Sequence, residues 1–350
     1  PFASENSGCM HACGHDGHIA MLLGAAAVLC ELRDEYPHSV KLIFQGAEEG
    51  PPEGEEGGAE LMVREGALHK PDVRGVFGIH VWPGAPAGKI LYSPGAITAS
   101  VDRFRVTVRG RQTHGSAPWE GIDPIVASAH VITAIQSIAS RRIDARDSAV
   151  ITVGKIESPG NWNIVPDCVT MYGTVRTHDE SVRDCVENEF RRIVENTCLA
   201  HMARCEIDYR RIVPPVVNEP GFVASVMASI GRIAGEERLV APDSDQNRLE
   251  GIRSSDLKLP TMVGEDFSYF AREVPGCFIL LGAQPVDKEH SGWEAISPAQ
   301  ETSATKEGRS SASEPSGGVE AHPLHSPRLL IDERALRIGA MAHIAAAFAD

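Results

Sequence analysis

No stretch of this sequence approaches the ~18 consecutive apolar residues that a membrane-spanning helix needs, so no membrane partner is expected. Runs of Lys or Arg are absent as well. With 48 acidic against 33 basic side chains and a formal net charge of -15, phosphate backbones and anionic lipid surfaces are repelled, which argues against nucleic acid. A small molecule or another protein is the better expectation. The eight cysteines form no C-x-x-C pair and keep no regular spacing, so neither a zinc ribbon nor a disulfide framework is implied. In a chain of this size they read as free thiols in a reducing compartment, the cytoplasm, with disulfides as the alternative. No secretory signal and no initiator Met stand at the start, and no internal repeat is evident. The densest chemistry begins within a dozen residues of Pro1, from which we expect further sequence upstream.

What is present suffices for two cores, since 350 residues with 42% hydrophobic content exceed one domain of ~100–200 residues. HDGHIAMLLGAAAVLCEL sets Ile19, Leu22, Leu23, Ala26 and Leu29 at helical spacing, and SVKLIFQG is a short apolar run closed by Gly46, as in a buried strand. GAELMVREGALH returns to helix, and VRGVFGIHVW is a second strand. This alternation predicts an α/β fold with a mainly parallel sheet. Active residues of such sheets gather at the carboxyl ends of strands, where Glu48, Glu49 and His80 fall.

From about Ala99 the pattern changes. VDRFRVTVRG alternates like a half-exposed strand, and DPIVASAHVITAIQSIASR is a helix with Pro124 in its first turn. SAVITVGKI, CVTMYGTVRT, a helix from SVRDCVENEF and the strand RCEIDYRRI follow, giving the β-α-β-β-α-β order of a ferredoxin-like α+β unit. The chain therefore divides into 1–98, an inserted unit at 99–213, and a second part of the α/β layer at 214–350. APDSDQNRLEGIRSSDLK reads as a polar insertion, and 284–321 as a flexible surface loop rich in Ser, Glu, Ala and Gly. An Ala-rich amphipathic helix closes the chain in DERALRIGAMAHIAAAFAD.

Four stretches carry chemistry. In CMHACGHDGH, Cys13 and His15 are one residue apart, so an extended segment or turn brings both to a common centre. Thiolate and imidazole suit zinc or another first-row metal, although an isolated Cys/His cluster is more often structural or incidental. In FQGAEEG, Glu48 and Glu49 follow a predicted buried strand, where carboxylates are costly unless charged partners compensate. Adjacent residues point different ways, so one Glu can coordinate a metal while the other stays free as a general base. The plain alternative is an acidic loop. His80 in GIHVWPG ends an apolar strand, as either a ligand or a satisfied sheet-end histidine. His322 and His325 sit in HPLHSP, where two prolines stiffen the loop, though a lone loop histidine is usually solvated.

In this order, MHACGHDGH, FQGAEEG, GIHVWPG, TVRGRQTHGSAP, IVPDCVTMYGTVRT, GEDFSYF and LHSP resemble the co-catalytic metallopeptidase superfamily of aminoacylases and glutamate carboxypeptidases. Within it the match is to the amidohydrolase branch of hippurate hydrolases and plant indoleacetyl-amino acid hydrolases. The motifs cover most of the chain outside the two insertions. The resemblance implies a mostly parallel-sheet metallopeptidase catalytic domain with an inserted ferredoxin-like lid and dimerisation domain. Its implied reaction is metal-dependent hydrolysis of the amide bond of N-acyl amino acids or dipeptide-like substrates, in a homodimer. Two divalent ions are implied, zinc or manganese first and cobalt or nickel as further candidates, held by Cys13, His15, Glu49, His80 and His325. Cys13 would bridge them. Glu48 becomes the general base, taking a proton from the attacking water and delivering it to the leaving amine. His114 would reach across the dimer interface to the tetrahedral oxyanion, its alternative being a polar turn residue. Asn163 and Arg176 match positions that hold the substrate's carbonyl and carboxylate, and the planar fork of Arg176 suits the carboxylate. Arg176 could equally be an exposed strand residue. Glu265 and Asp266 would line the pocket wall.

The family's acidic ADMDALP-like segment before the Cys motif has no counterpart here, and LLIDE stands where relatives tend to have an aromatic. Three rival readings follow. One is a dipeptidase or carboxypeptidase using the same site. Another is an inactive truncated relative acting as a binding module. The third, a hydrolase with Cys13 as nucleophile, leaves the Glu pair and the distant histidines unused.

Overall fold

The computed structural model describes residues 4–36, 38–52, 55–241, 258–285 and 322–349. The polar insertion is thus outside the described residues except at its two ends, and so is the loop expected at 284–321 beyond Pro285.

In chain order the first elements are α1 (His15–Glu31), α2 (Gly58–Arg64), β1 (Val76–Pro86), β2 (Ile90–Leu91) and β3 (Gly95–Ala96). Next come β4 (Val101–Arg109), β5 (Thr113–His114), α3 (Pro124–Arg141), β6 (Ala149–Glu157), β7 (Ile164–Val165) and β8 (Cys168–Thr177). The remainder is α4 (Glu180–Ala200), β9 (Arg204–Val213), β10 (Val217–Asn218), α5 (Pro220–Ala234), β11 (Leu239–Val240), α6 (Ser268–Glu273), β12 (Gly276–Gln284) and α7 (Arg334–Ala346). Among the described residues no helix is long and apolar enough to cross a membrane.

Two sheets organise these elements. The first has the order β1-β12-β2-β11, with β1/β12 and β2/β11 parallel and β12/β2 antiparallel. Its core holds Ile79 and Val81 from β1 and Ile279 and Leu281 from β12, packed under Met21 of α1, Val226 and Ile230 of α5, and Ile338 and Ala342 of α7. The second sheet is antiparallel, in the order β6-β8-β4-β9, and α3 and α4 cover it through Val131, Ile135, Val186 and Phe190. The β4-α3-β6-β8-α4-β9 succession is the ferredoxin-like order, inserted into the mixed α/β layer. Within this unit, buried Arg183 of α4 donates from Nε and Nη2 to Asp102 Oδ1 of β4, and Tyr209 of β9 donates its hydroxyl to Asp102 Oδ2 at 2.8 Å. This satisfies a carboxylate that is fully shielded from water.

Three local expectations differ from the structure. The apolar face expected on α1 is rotated: Met21, Ala25 and Leu29 are buried, whereas Ile19 is 49% and Leu23 56% exposed. The helix is apolar almost all round, so periodicity had no polar face to orient it, and the small Gly17, against Leu336 and Ile331, lets α7 approach one side closely. SVKLIFQG forms no strand ladder among the described residues. Ile43 packs on the core around Phe278 and Leu280, while Leu42 and Phe44 on the opposite side are exposed. A strand exists only where a neighbour supplies hydrogen-bond partners, and the composition of one segment does not reveal that neighbour. Finally, His80 does not end its strand. β1 continues to Pro86 through a register shift between Trp82 and Pro86, so WPGAP bends the strand without stopping it.

Candidate metal centre

The site is built on the edge of the first sheet. Among the described residues β1 has a neighbour only in β12, so the Val81 N–H faces outward. His18, one turn into α1, satisfies it: Val81 N donates to His18 Nε2 at 3.0 Å. Helix α1 starts this close because Gly14 precedes it with φ 80, where a Cβ would stand 2.6 Å from Val81 Cγ2. Only glycine meets both demands, a left-handed backbone and a contact without side-chain volume. That approach sets Cys13 and His15 over β1.

Four chain segments then converge. Cys13, His15 and His80 each offer a ligand atom within 4.8 Å of the others, and so do Cys13, Glu49 and His325. The thiol is common to both triads. Cys13 Sγ lies 3.4 Å from His80 Nε2, and His325 Nε2 lies 2.9 Å from Glu49 Oε1. His80 Nδ1 donates to the Val81 carbonyl at 2.7 Å, which leaves the Nε2 lone pair facing the thiol. His325 takes a left-handed backbone, φ 67, and its N–H donates to the Ala12 carbonyl at 2.7 Å, tying the LHSP loop to the cysteine motif. A non-glycine residue held at positive φ by such a bond is a strained placement of the kind found at functional sites.

Glu48 and Glu49 occupy the centre of a turn in which Gly50 N donates to the Ala47 carbonyl. The two carboxylates stay close enough that Glu48, Glu49 and His15 each offer a ligand atom within 4.8 Å of the others. Glu49 goes to His325, whereas Glu48 Oε2 lies 3.6 Å from His15 Nε2 and shares a second cluster with Glu265 and Asp266. Asp266 clamps this turn from behind, accepting from Gln45 Nε2 at 2.7 Å and from Ala59 N at 2.8 Å. Sequence reasoning missed Gln45 and His18. A third histidine in CMHACGHDGH was visible, but its role as an acceptor for an edge N–H has no linear signal.

The electrostatics follow from burial. Burial pushes Glu48 up to about 7, helped by the charges of Asp266 and Glu49, and Glu265 well above the carboxylate range, helped by Glu48. Burial, with Glu49 beside it, also raises the Cys13 thiol strongly. His80 is held down at about 4 and His18 well below its usual value, again chiefly by burial. Among the described residues no Lys or Arg pairs with any of these acids. The cluster therefore collects acids that burial discourages from ionising and imidazoles that it keeps neutral. Divalent cations would reverse the first penalty and use the second, so the donor set fits them.

The remaining candidates, His322 apart, lie on the ferredoxin-like unit. Arg176, on β8, is half-buried and comes near the GED segment: its Nη1 is 3.2 Å from where a Cβ on Gly264 would stand. It has no ion pair among the described residues, and burial, with Arg103 nearby, lowers its pKa. His114 and Asn163 are exposed, and none of their hydrogen bonds among the described residues reaches the cluster. They do belong to one platform, in which His114 pairs with Ile164 across β5/β7 and Gly115 N donates to the Asn163 carbonyl at 2.8 Å. Ser116 N donates to His114 Nδ1 at 3.1 Å, so in the neutral ring the proton is on Nε2, facing away from the turn. His322 is half-buried and belongs to neither triad.

A Cys/His/Glu donor cage at the edge of a parallel-containing α/β sheet, with the Glu48 carboxylate grouped beside it with His15 and Glu49 but not with the thiol, defines a metal-dependent hydrolase. The chain belongs to peptidase family M20/M25/M40, whose profile matches residues 1–306. N-acetyl-L-cysteine deacetylase of Bacillus subtilis is 34% identical over 306 residues, 87% of this chain and 67% of that protein. Thermostable carboxypeptidase 2 of Saccharolobus solfataricus is 34% identical over 346 residues, 98% of this chain and 74% of that one. Among solved structures, the YxeP protein of Bacillus subtilis, described as a dinuclear metal-binding peptidase of this family, has a TM-score of 0.71 at 27% identity, covering 99% of this chain and 75% of its own.

Proposed function

We propose that this chain hydrolyses the amide bond of N-acyl amino acids, releasing a carboxylic acid and a free amino acid. The observation that carries the reading is the pair of donor triads sharing Cys13, with Glu48 beside them but outside both. Cys13, His15 and His80 would hold one divalent ion and Cys13, Glu49 and His325 the other, with zinc or manganese the best match to thiolate, imidazole and carboxylate. When bound, two such ions lower the pKa of water and polarise a carbonyl oxygen.

The protein's own groups supply the rest. Glu48 takes the proton of the attacking water on its carboxylate and hands it to the departing amine, a role suited to a carboxylate that lies beside both donor triads without belonging to either. His114, donating from Nε2–H, stabilises the tetrahedral oxyanion, and Asn163 beside it orients the carbonyl. Both serve the site of a second copy in a homodimer formed through the inserted domain. Arg176, with no carboxylate ion-pair partner among the described residues and beside Gly264, receives the substrate carboxylate. Cys13 as nucleophile is disfavoured, because burial and Glu49 hold its thiol protonated.

Glu48→Gln keeps the shape of the side chain and removes the base. We expect unchanged metal content by elemental analysis and a kcat lower by about 10²–10⁴-fold on N-acetyl amino acids. Loss of metal instead would make Glu48 a ligand and defeat the assignment. The likeness to a carboxypeptidase supports a second reading, peptide hydrolysis at the same site. Comparing kcat/KM for N-acetylmethionine and for dipeptides ending in Met separates the two, and preference for dipeptides selects the second.

A further inference from the structure

We propose that a cavity between α7, the end of α5 and the turn after β1 is a second binding site, for a small organic anion with an apolar body. Its volume is about 530 Å³, within the range of small-molecule sites. Ala234, Ile338 and Met341 give it an apolar floor, and Arg238, Arg334 and Arg337 stand around them. None of these residues belongs to either donor triad, so the site is separate from the candidate metal centre. The proposal does not depend on the hydrolase reading.

Guanidiniums converging on a chain of net charge -15 are a local reversal of sign. Arg334 and Arg337 are one turn apart on α7, where like charges repel. The protein offsets only part of this charge. Asp332 accepts from Nε and Nη2 of Arg334. Arg238 spends its Nε on the Ala234 carbonyl at the end of α5, at 2.8 Å, and the Glu237 carboxylate 3.8 Å from that Nε is 72% exposed, too open to neutralise it. Arg337 has neither a hydrogen bond nor an ion pair among the described residues, and no described Asp or Glu lines the cavity. The wall behind Arg238 is bare backbone: a Cβ on Gly88, at φ 80, would stand 3.0 Å from Arg238 Nη1 and 3.3 Å from Ile338 Cγ1. Next to it, Lys89 Nζ donates to the Glu237 carbonyl at 2.8 Å, which holds the 3-10 turn Glu236–Arg238 in place and brings a fourth cation beside the cavity. Forked guanidiniums match the paired oxygens of a carboxylate or phosphate head. Ala234 and Ile338 are core residues and Met341 packs on the same core, so the floor suits an alkyl or aryl body. An inorganic ion would leave that floor uncovered, and a neutral molecule would leave the guanidiniums unpaired.

The test is titration calorimetry on metal-loaded protein with octanoate, octyl phosphate, octanol and inorganic phosphate. One or both octyl anions are expected to bind, the tighter identifying the head group, with octanol and inorganic phosphate weaker by about 10-fold or more. Arg337→Ala removes an exposed side chain that makes no internal bond, so its melting temperature is expected to match wild type while its affinity for the octyl anion falls about 10-fold. Arg337→Lys is expected to lose less, because it keeps the charge without the fork. A carboxylate or phosphate can also reach bound metal ions, and the variant separates the two places, since binding at the metals is indifferent to residue 337. An octyl-anion affinity unchanged in Arg337→Ala would therefore overturn the proposal. So would octanol or inorganic phosphate binding as tightly as the octyl anions, or no binding of either octyl anion. These readouts need no turnover, so they stand whether or not the protein cleaves N-acyl amino acids.

Discussion

His18 and His80 pack ring against ring with centroids 4.6 Å apart, yet only His80 has a nitrogen to give. The Val81 N–H occupies Nε2 of His18, and the Val81 carbonyl accepts the Nδ1 proton of His80, so a single backbone residue sets both tautomers. Groups that orient a ligating imidazole tune metal affinity as strongly as many ligands do. His18→Ala removes the ring that flanks His80 and leaves an edge N–H unpaired. We expect metal affinity to fall about 10–100-fold, measured by competition with a chelating dye. Unchanged affinity would reduce His18 to a space-filling residue.

At the level of elements, the site depends on how closely α1 can approach β1. Gly14→Ala would put a methyl 2.6 Å from Val81 Cγ2 and hold a side-chain-bearing residue at φ 80. The expected cost in urea unfolding of the metal-free protein is on the order of 1–3 kcal/mol, with metal affinity reduced in parallel. A neutral effect would mean that the helix can slide without harm. The same approach explains what the residue pattern of α1 could not show. Ile19 and Leu23 are as apolar as Met21 and Leu29, but only the stripe that meets β1 and α7 is covered. In WPGAP, likewise, a Pro-Gly pair reads as a stop until the register shift opposite Gly282 and Gln284 carries the strand past it.

For the whole molecule, burial makes the metal-free site sensitive to pH in two opposing ways. His80 is depressed from 6.5 to about 4, so between those values the unfolded chain binds more protons and stability is lost as pH falls. Glu48 is raised from 4.5 to about 7, so its contribution is full below 4.5 and lost as pH rises through 7. Each shift corresponds to at most about 3 kcal/mol. We therefore expect the metal-free protein to melt highest at mildly acidic pH. Added zinc or manganese should raise the melting temperature more at pH 8 than at pH 5.5, since cations favour the ionised acids. Scanning calorimetry across that range checks both, and a cation effect independent of pH would contradict the assignment of the acids as its ligands. Assembly gives a further expectation. Mixing His114→Ala with Glu48→Gln chains under exchange conditions should restore about a quarter of wild-type activity, because half the dimers are mixed and each has one complete site. No recovery would mean that each chain completes its own site.

The linear chain determined the donor types, their order and the α/β layer with its ferredoxin-like insertion, because motif chemistry and hydrophobic period are local properties. Cys13, His15, Glu48, Glu49, His80 and His325 were all legible in this way. Only the folded chain decided which donors share the thiol, that Glu48 stays outside both triads, and that His18, Gln45 and Asp266 hold the others in place. Those outcomes turn on angles and distances between segments far apart in the chain. An edge N–H, a turn's direction or a glycine-sized gap exists only once two such segments meet.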